Sequence, residues 1–304
     1  MVKNYTWGKD SWVDLHNPTA EEIKQIIDTY NIHPFVAKEM TSATQKPRVE
    51  YHDGYVFCIL HFPVLRHSHS TDTHQEIDFI VGKNLLITTR YDTVDALHKF
   101  GKEMEVKEIL DKDHEQKISS IVFPTMLREL YAGIFDEIES LEDKIEEITS
   151  EIFKGHEKNM VVTISETTRT LLDFKKVTEL HHEVLESLLH HGVEVFDKVF
   201  ARQMETVILD YLKINTTIRN SLDLLRELRE TNNSLLYSKQ NEVIKQLTIM
   251  GFTILPINFI AIIFAMRVEG LPFISNPNGF LMVLVLMVSS LIITLSYAKK
   301  KKWI

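Results

Sequence analysis

Two apolar runs dominate the C-terminal end of the chain: LTIMGFTILPINFIAIIFAM over Leu247–Met266 and FLMVLVLMVSSLIITLSY over Phe280–Tyr297, neither carrying a charge. Runs of about 18 to 20 apolar residues match the length a helix needs to cross a bilayer core. A buried core hairpin is the competing reading, but these runs leave no polar face for water. Upstream the pattern changes twice. Strand-like runs, YVFCILHFPV and IDFIVGKNLLITTRY, fill the first hundred or so residues, the second interrupted by Gly82-Lys83-Asn84 in the manner of a hairpin. Between them and the N-terminus, Thr19 with Glu22 three residues on reads as a capping box that opens an amphipathic helix.

From about Ser119 the spacing becomes helical. Phe135, Ile138, Leu141, Ile145, Ile148 and Ile152 recur every three or four residues, with carboxylates on the other faces and only Lys144 breaking the acidic run from Asp136 to Glu151. That run reads as a solvated face, and near a pore it would also raise the local cation concentration. A further helix runs without proline from about Val193 into the first apolar run, with Gly192 as the break before it. At 1.5 Å per residue, about 70 residues would reach ~105 Å, so the helix must pack laterally, against copies of itself.

The pattern predicts an α+β membrane protein. Its parts are an α/β domain over 1–118, a helical hairpin over 119–192 and a long stalk helix over 193–246. A first transmembrane helix over 247–266, an outer loop over 267–279, a second transmembrane helix over 280–298 and a basic tail over 299–304 follow.

Charge sets the orientation. Lys239 and Lys245 precede the first run and Lys299 to Lys302 follow the second, whereas the connector carries only Arg267 and Glu269. The positive-inside rule then places both termini in the cytoplasm of a two-span protein of the cell (inner or plasma) membrane. The opening MVKNYTWGKD is polar and unlike a signal peptide. A single cysteine, Cys58, excludes an intrachain disulfide and a multi-thiolate metal site. The net charge of −9 argues against a nucleic-acid partner and suits a protein that meets cations.

Candidate chemistry concentrates on the first span. Read as heptads, Asn241, Thr248, Leu255 and Ile262 share one position, and Ile244, Gly251, Asn258 and Ala265 the other. This stripe collects most of the polar and small residues of the segment. An uncharged polar side chain at membrane depth faces either a partner helix or a water-filled path. Ile244, Leu247 and Leu255 could form a dry constriction that gates by dewetting, and Pro256 is placed to bend the helix.

Other motifs are weaker. His67, His69 and His74 near Asp72 read as a solvated hairpin tip rather than a zinc site. His181-His182 and His190-His191 read as surface or interface residues, since adjacent histidines do not share a helix face. No nucleophile elbow, phosphate loop or dinucleotide fingerprint is present, so the sequence does not read as an enzyme.

Several stretches, in order, resemble the CorA family of divalent-cation transporters over essentially the whole chain. They are WVDLHNPTAEE, HPFVAKEM, QKPRVE, EIDFIVGKNLLITTR, NSLLYSKQNEVIKQLTIMGFTILPINFIA and the terminal AKKKKWI. The resemblance implies a homopentameric funnel, with a pore lined by the first span and the second span outside it. It also implies passage of hydrated Mg²⁺, or of Co²⁺, Ni²⁺ or Zn²⁺, as cargo and as a regulatory ion, with no permanently bound cofactor. A zinc-preferring or proton-coupled member, and a non-conducting scaffold or sensor of the same fold, are the alternatives. Asn241, Leu255 and Asn258 match pore-lining positions, Asn258 standing where a hydroxyl residue is usual.

Two places depart from the family. Where it carries Gly-Met-Asn at the outer end of the first span, this chain has Ala265-Met266-Arg267. Arginine has no acceptor for the water shell of an incoming cation and stays protonated. Five such charges about 8 Å from a divalent ion would oppose it by roughly 5 kcal/mol in bulk water, with salt removing about half or more. Glu269, two residues on, either pairs with Arg267 as a clasp or leaves it as a plug. In the family's regulatory site a carboxylate after HP pairs across subunits with one early in the stalk. Glu39 occupies the first position; the second falls near Thr206, which is no carboxylate, with Glu205 and Asp210 close by.

Overall fold

The computed structural model describes residues 2–41, 44, 46–63, 74–91, 94–110, 117–266, 272, 277–301 and 303. These divide into two compact units, Met1–Arg229 and Glu230–Ile304.

The first unit is built on a six-stranded sheet. Its strands are β1 (Val2–Trp7), β2 (Asp10–His16), β3 (Arg48–His52), β4 (Tyr55–Pro63), β5 (His74–Gly82) and β6 (Leu85–Arg90), in the spatial order β1-β2-β6-β5-β4-β3. Every pairing is antiparallel except β2 with β6. That parallel pair needs a crossover, which is supplied by helices α1 (Ala20–Tyr30) and α2 (Pro34–Glu39) and strands β3 to β5. The hairpin expected at Gly82-Lys83-Asn84 joins β5 to β6. The capping box is present, the Thr19 hydroxyl accepting from the Glu22 amide and the Glu22 carboxylate from the Thr19 amide.

All nine residues of β4 are buried, the mark of a strand covered on both faces. On one face Phe57 and Ile59 join Val13, Leu15, Ile80 and Ile87 in a core closed by α1 and α2 through Ile23, Ile26 and Val36. Helix α3 (Asp95–Leu110) brings Phe100 edge-on to Trp12. A π-helical turn, Ile118–Val122, then leads into α4 (Phe123–Phe153), whose Phe123 ring meets Phe79.

The helices after residue 119 differ from the expected hairpin. There are three: α4, α5 (Glu157–Thr178) and α6 (His181–Val195). They pack on the sheet, which merges the expected 1–118 and 119–192 domains into one unit. On α4 the apolar stripe is buried as spaced, Ile138, Leu141, Ile145, Ile148 and Ile152 all facing inward. At the remaining position Ile134 takes the core, and Phe135 is half-buried beneath the Lys213 ammonium at 3.9 Å from the ring centre.

Gly192 does not end a helix. It lies inside α6, and the chain turns only at Phe196, before α7 begins at Lys198 rather than Val193. A Cβ on Gly192 would sit 2.1 Å from Cε1 of Phe200, so the glycine is there to let α6 and α7 approach. His181 is likewise not a surface residue. It is fully buried, because it heads the stripe His181, Val184, Leu185, Leu188 that α6 turns inward. His190 and His191 are exposed and His182 is half-exposed, as expected of these positions.

The second unit holds the end of α7 (Lys198–Ala265) and α8 (Gly279–Lys300). Both are long and apolar enough to cross a membrane. In the most apolar stretch of α7 none of the residues is buried, and in that of α8 only 6% are. A core hairpin would be covered; these helices present their apolar side chains outward.

Candidate functional site: the α7 stripe

Helix α7 continues through Pro256 to Ala265, and Met266 closes it by donating its amide to the carbonyls of Ile262 and Ile263. Among the partly covered positions along its last turns, Ile249, Thr253, Pro256, Ile257, Ile260 and Phe264 cluster, at 100° per residue, on the opposite side of the helix from Asn241, Ile244, Thr248, Gly251, Leu255, Asn258, Ile262 and Ala265. Gly251, Ala261 and Ile263 are also partly covered, Gly251 from within the stripe. Helix α8 has a covered row of its own, with Thr294 and Ala298 buried and Met287, Ser290 and Leu291 half-buried. Tyr297 and Trp303 meet Phe252, each at 5.9 Å between ring centres.

Apart from Gly251, the stripe is left exposed within the chain. Asn241, Thr248 and Asn258 are exposed, and Ile244, Leu255 and Ile262 are 51%, 69% and 62% exposed. Leu247 is 62% exposed beside them. A Cβ built on Gly251 finds nothing within 4 Å. Thr248 donates its hydroxyl hydrogen to the Ile244 carbonyl at 2.8 Å, so its polarity is partly satisfied within its own helix. Ala265 and Met266 are exposed at the end of the stripe. Arg267 and Glu269 lie outside the described residues, as do His67, His69 and Asp72.

The carboxylates considered for regulation occupy separate places. Glu39 ends α2 and forms an ion pair with Arg48 of β3, which also reaches Glu50 at 3.1 Å. Asp210 on α7 accepts from Nε of Arg128 on α4 at 2.8 Å, whereas Glu205 is exposed. Within one chain Glu39 and Asp210 are each engaged by a different arginine, and among the described residues no group of three His, Cys, Asp or Glu side chains is arranged to hold a metal.

The sheet contains polar groups that the sequence reading missed. Asp14 and Arg90 form a buried pair at 2.8 Å, and the Thr88 hydroxyl donates to Asp14 while accepting from Nε1 of Trp12. Asp14 faces Thr88 only because β2 runs parallel to β6, a non-local pairing that no local spacing announces. On β5, burial and the neighbouring Glu76 push the Asp78 carboxyl well above the usual range. Burial lowers His181 to about 4, and the ring bridges the Tyr131 hydroxyl at 2.8 Å and the His61 carbonyl at 2.7 Å. For His181 a signal was available, in its place at the head of an inward stripe.

Three kinds of likeness bear on this arrangement. The model of the family described as CorA-like Mg²⁺ transporter protein matches residues 8–300. The cobalt/magnesium transport protein CorA of Thermotoga maritima is 25% identical over 97% of this chain and 83% of its own length. That of Methanocaldococcus jannaschii is 23% identical over 96% of this chain and 91% of its own length. Among solved structures, the complete CorA magnesium transporter of M. jannaschii superposes with a TM-score of 0.84 at 23% identity, covering 97% of this chain and 92% of that one. The full-length CmaX protein gives 0.76 at 13% identity, over 97% and 89%. A sheet-based unit followed by a long helix and two apolar C-terminal helices is thus a shared fold, and with the family model matching nearly every residue the chain belongs to the CorA-like Mg²⁺ transporter family.

Proposed function

We propose that five copies of this chain assemble around the α7 stripe and pass a hydrated divalent cation between them. Divalent-cation transport is the activity of the family, whose members are transporters and not enzymes. Mg²⁺ is the leading cargo, with Co²⁺, Ni²⁺ and Zn²⁺ the others of the same charge. The observation that carries the pore reading is the sidedness of α7: Asn241, Thr248 and Asn258 are exposed, while Ile249, Thr253, Ile257 and Ile260 on the opposite side are partly covered. Asn258 and Asn241 would offer carbonyl oxygens to an ion that keeps its waters. Ile244, Leu247 and Leu255 would supply the dewetting constriction between them. Lysines flanking both spans support cytoplasmic termini.

Regulation by cytoplasmic Mg²⁺ has less support. Glu39 and Asp210 are each already paired with an arginine of the same chain, so a regulatory ion would have to displace Arg48 and Arg128. Failure of added Mg²⁺ to protect the protein from protease would remove this part of the reading.

Uptake of Mg²⁺, Co²⁺ and Zn²⁺ into proteoliposomes, with the native chain, Arg267→Asn and Asn258→Leu compared, tests the whole. Native uptake that Asn258→Leu abolishes is the expected result. A silent native protein that Arg267→Asn restores would make Arg267 a plug, and a native protein indifferent to Asn258→Leu would remove the stripe from the path.

A further inference from the structure

The β4–β5 hairpin carries a buried histidine near the end where Pro63 pairs with His74, and only one nitrogen of its ring is engaged. His61 and Glu76 are directly opposite each other on the two strands, and His74 lies two residues before Glu76 on the same face. The His61 side chain is only 5% exposed and that of Glu76 only 3%. Nε2 of His61 lies 3.0 Å from the Thr44 carbonyl and 3.0 Å from Oε2 of Glu76. Both neighbours are acceptors, so Nε2 carries the hydrogen. The same Glu76 oxygen is held by the Thr44 amide at 2.6 Å and the Thr44 hydroxyl at 3.1 Å.

This fixes the ring. With Nε2 as donor, Nδ1 of the neutral imidazole is a lone pair, and among the described residues it is buried with no hydrogen-bond partner. A buried acceptor left unmet is costly and calls for an explanation. His61 and His74 both line a cavity of about 350 Å³, their ring centres 5.3 Å apart and tilted by 60°. Asp173 and Glu179 share its wall with Lys46 and Lys176, so the side-chain charges there balance. A carboxylate that orients one imidazole nitrogen so that the other can bind a metal is a recurrent second layer around metal ions.

We propose that this cavity binds a transition-metal ion of the Zn²⁺, Co²⁺ or Ni²⁺ class through Nδ1 of His61 and the ring of His74, with water completing the shell. Imidazole nitrogen suits these ions, whereas Mg²⁺ prefers oxygen. The site is separate from the α7 stripe: it belongs to the sheet unit and would be occupied whether or not the chain conducts.

Titration of the untagged full-length protein in detergent with Co²⁺, followed by its visible absorption and in excess Mg²⁺, tests this. One Mg²⁺-resistant site per chain is expected, lost in His61→Ala and in His74→Gln, the latter at an exposed position that spares the fold. Glu76→Gln is expected to weaken it by roughly 10- to 100-fold. Unchanged binding in folded His74→Gln, or loss only when His67 and His69 are both replaced by alanine, would overturn the proposal.

Discussion

The sheet unit and the α7–α8 pair deal with polar groups in opposite ways. In the sheet, charge is buried and answered inside the chain: Arg90 by Asp14, Glu76 by Thr44 and His61. On α7, Asn241 and Asn258 stand uncovered among exposed leucines and isoleucines. Burial without a partner costs several kcal/mol, so a sheet can keep an ionised group only by pairing it. An exposed apolar helix is under no such constraint from its own chain; what satisfies it is lipid on one side and, in our reading, other copies and water on the other. The first unit thus answers these charges within one chain, whereas in our reading the second leaves its exposed face to other copies.

Breaking an internal answer should have the largest effect. Arg90→Met leaves the Asp14 carboxylate buried beside Thr88 alone, and a loss of about 3–5 kcal/mol is expected from denaturant unfolding of the sheet unit's signal. Next comes acid. His181 is neutral when folded, with its pKa lowered to about 4, while in the unfolded chain it takes up a proton near 6.5. Between those values the unfolded state binds more protons, so stability is full above about pH 6.5 and falls as the pH drops toward 4. The loss by then is about 3 kcal/mol. Asp78, raised rather than lowered, works in the opposite sense. The measurement is therefore the difference in pH slope between the native protein and His181→Phe, and equal slopes would refute the assignment.

The smallest effects come from a matched pair of glycines. Gly192→Ala drives a methyl into Phe200 and is expected to cost about 1–3 kcal/mol. Gly251→Ala meets nothing, so the melting curve should shift by no more than about 0.5 kcal/mol, while cation uptake falls as the methyl enters the path. A Gly251→Ala protein that transports normally would sharpen the comparison the other way, by moving Gly251 out of the lining.

What could be read from the sequence was what local spacing decides. The Thr19–Glu22 cap, the turn at Gly82-Lys83-Asn84 and the inward row on α4 are each set by residues within one or two turns of each other. Gly192 was misread because a glycine between two helical stretches breaks a helix as readily as it admits a neighbour, and only Phe200 distinguishes the two. The Asp14–Arg90 pair required knowing that strands 76 residues apart run side by side. In the candidate pore, the heptad stripe was legible because polar residues in an apolar run stand out. The pairings of Glu39 with Arg48 and Asp210 with Arg128 were not, since each partner comes from a different element.

Thr248 has a consequence for the ion's own coat. Its hydrogen is already engaged by the Ile244 carbonyl, so what the side chain can show to the outside is oxygen. The waters around a dication point their hydrogens outward. In the proposed pentamer, five hydroxyl oxygens with no hydrogen to offer would meet that shell as a collar of acceptors matched to the outward hydrogens of a wrapped cation.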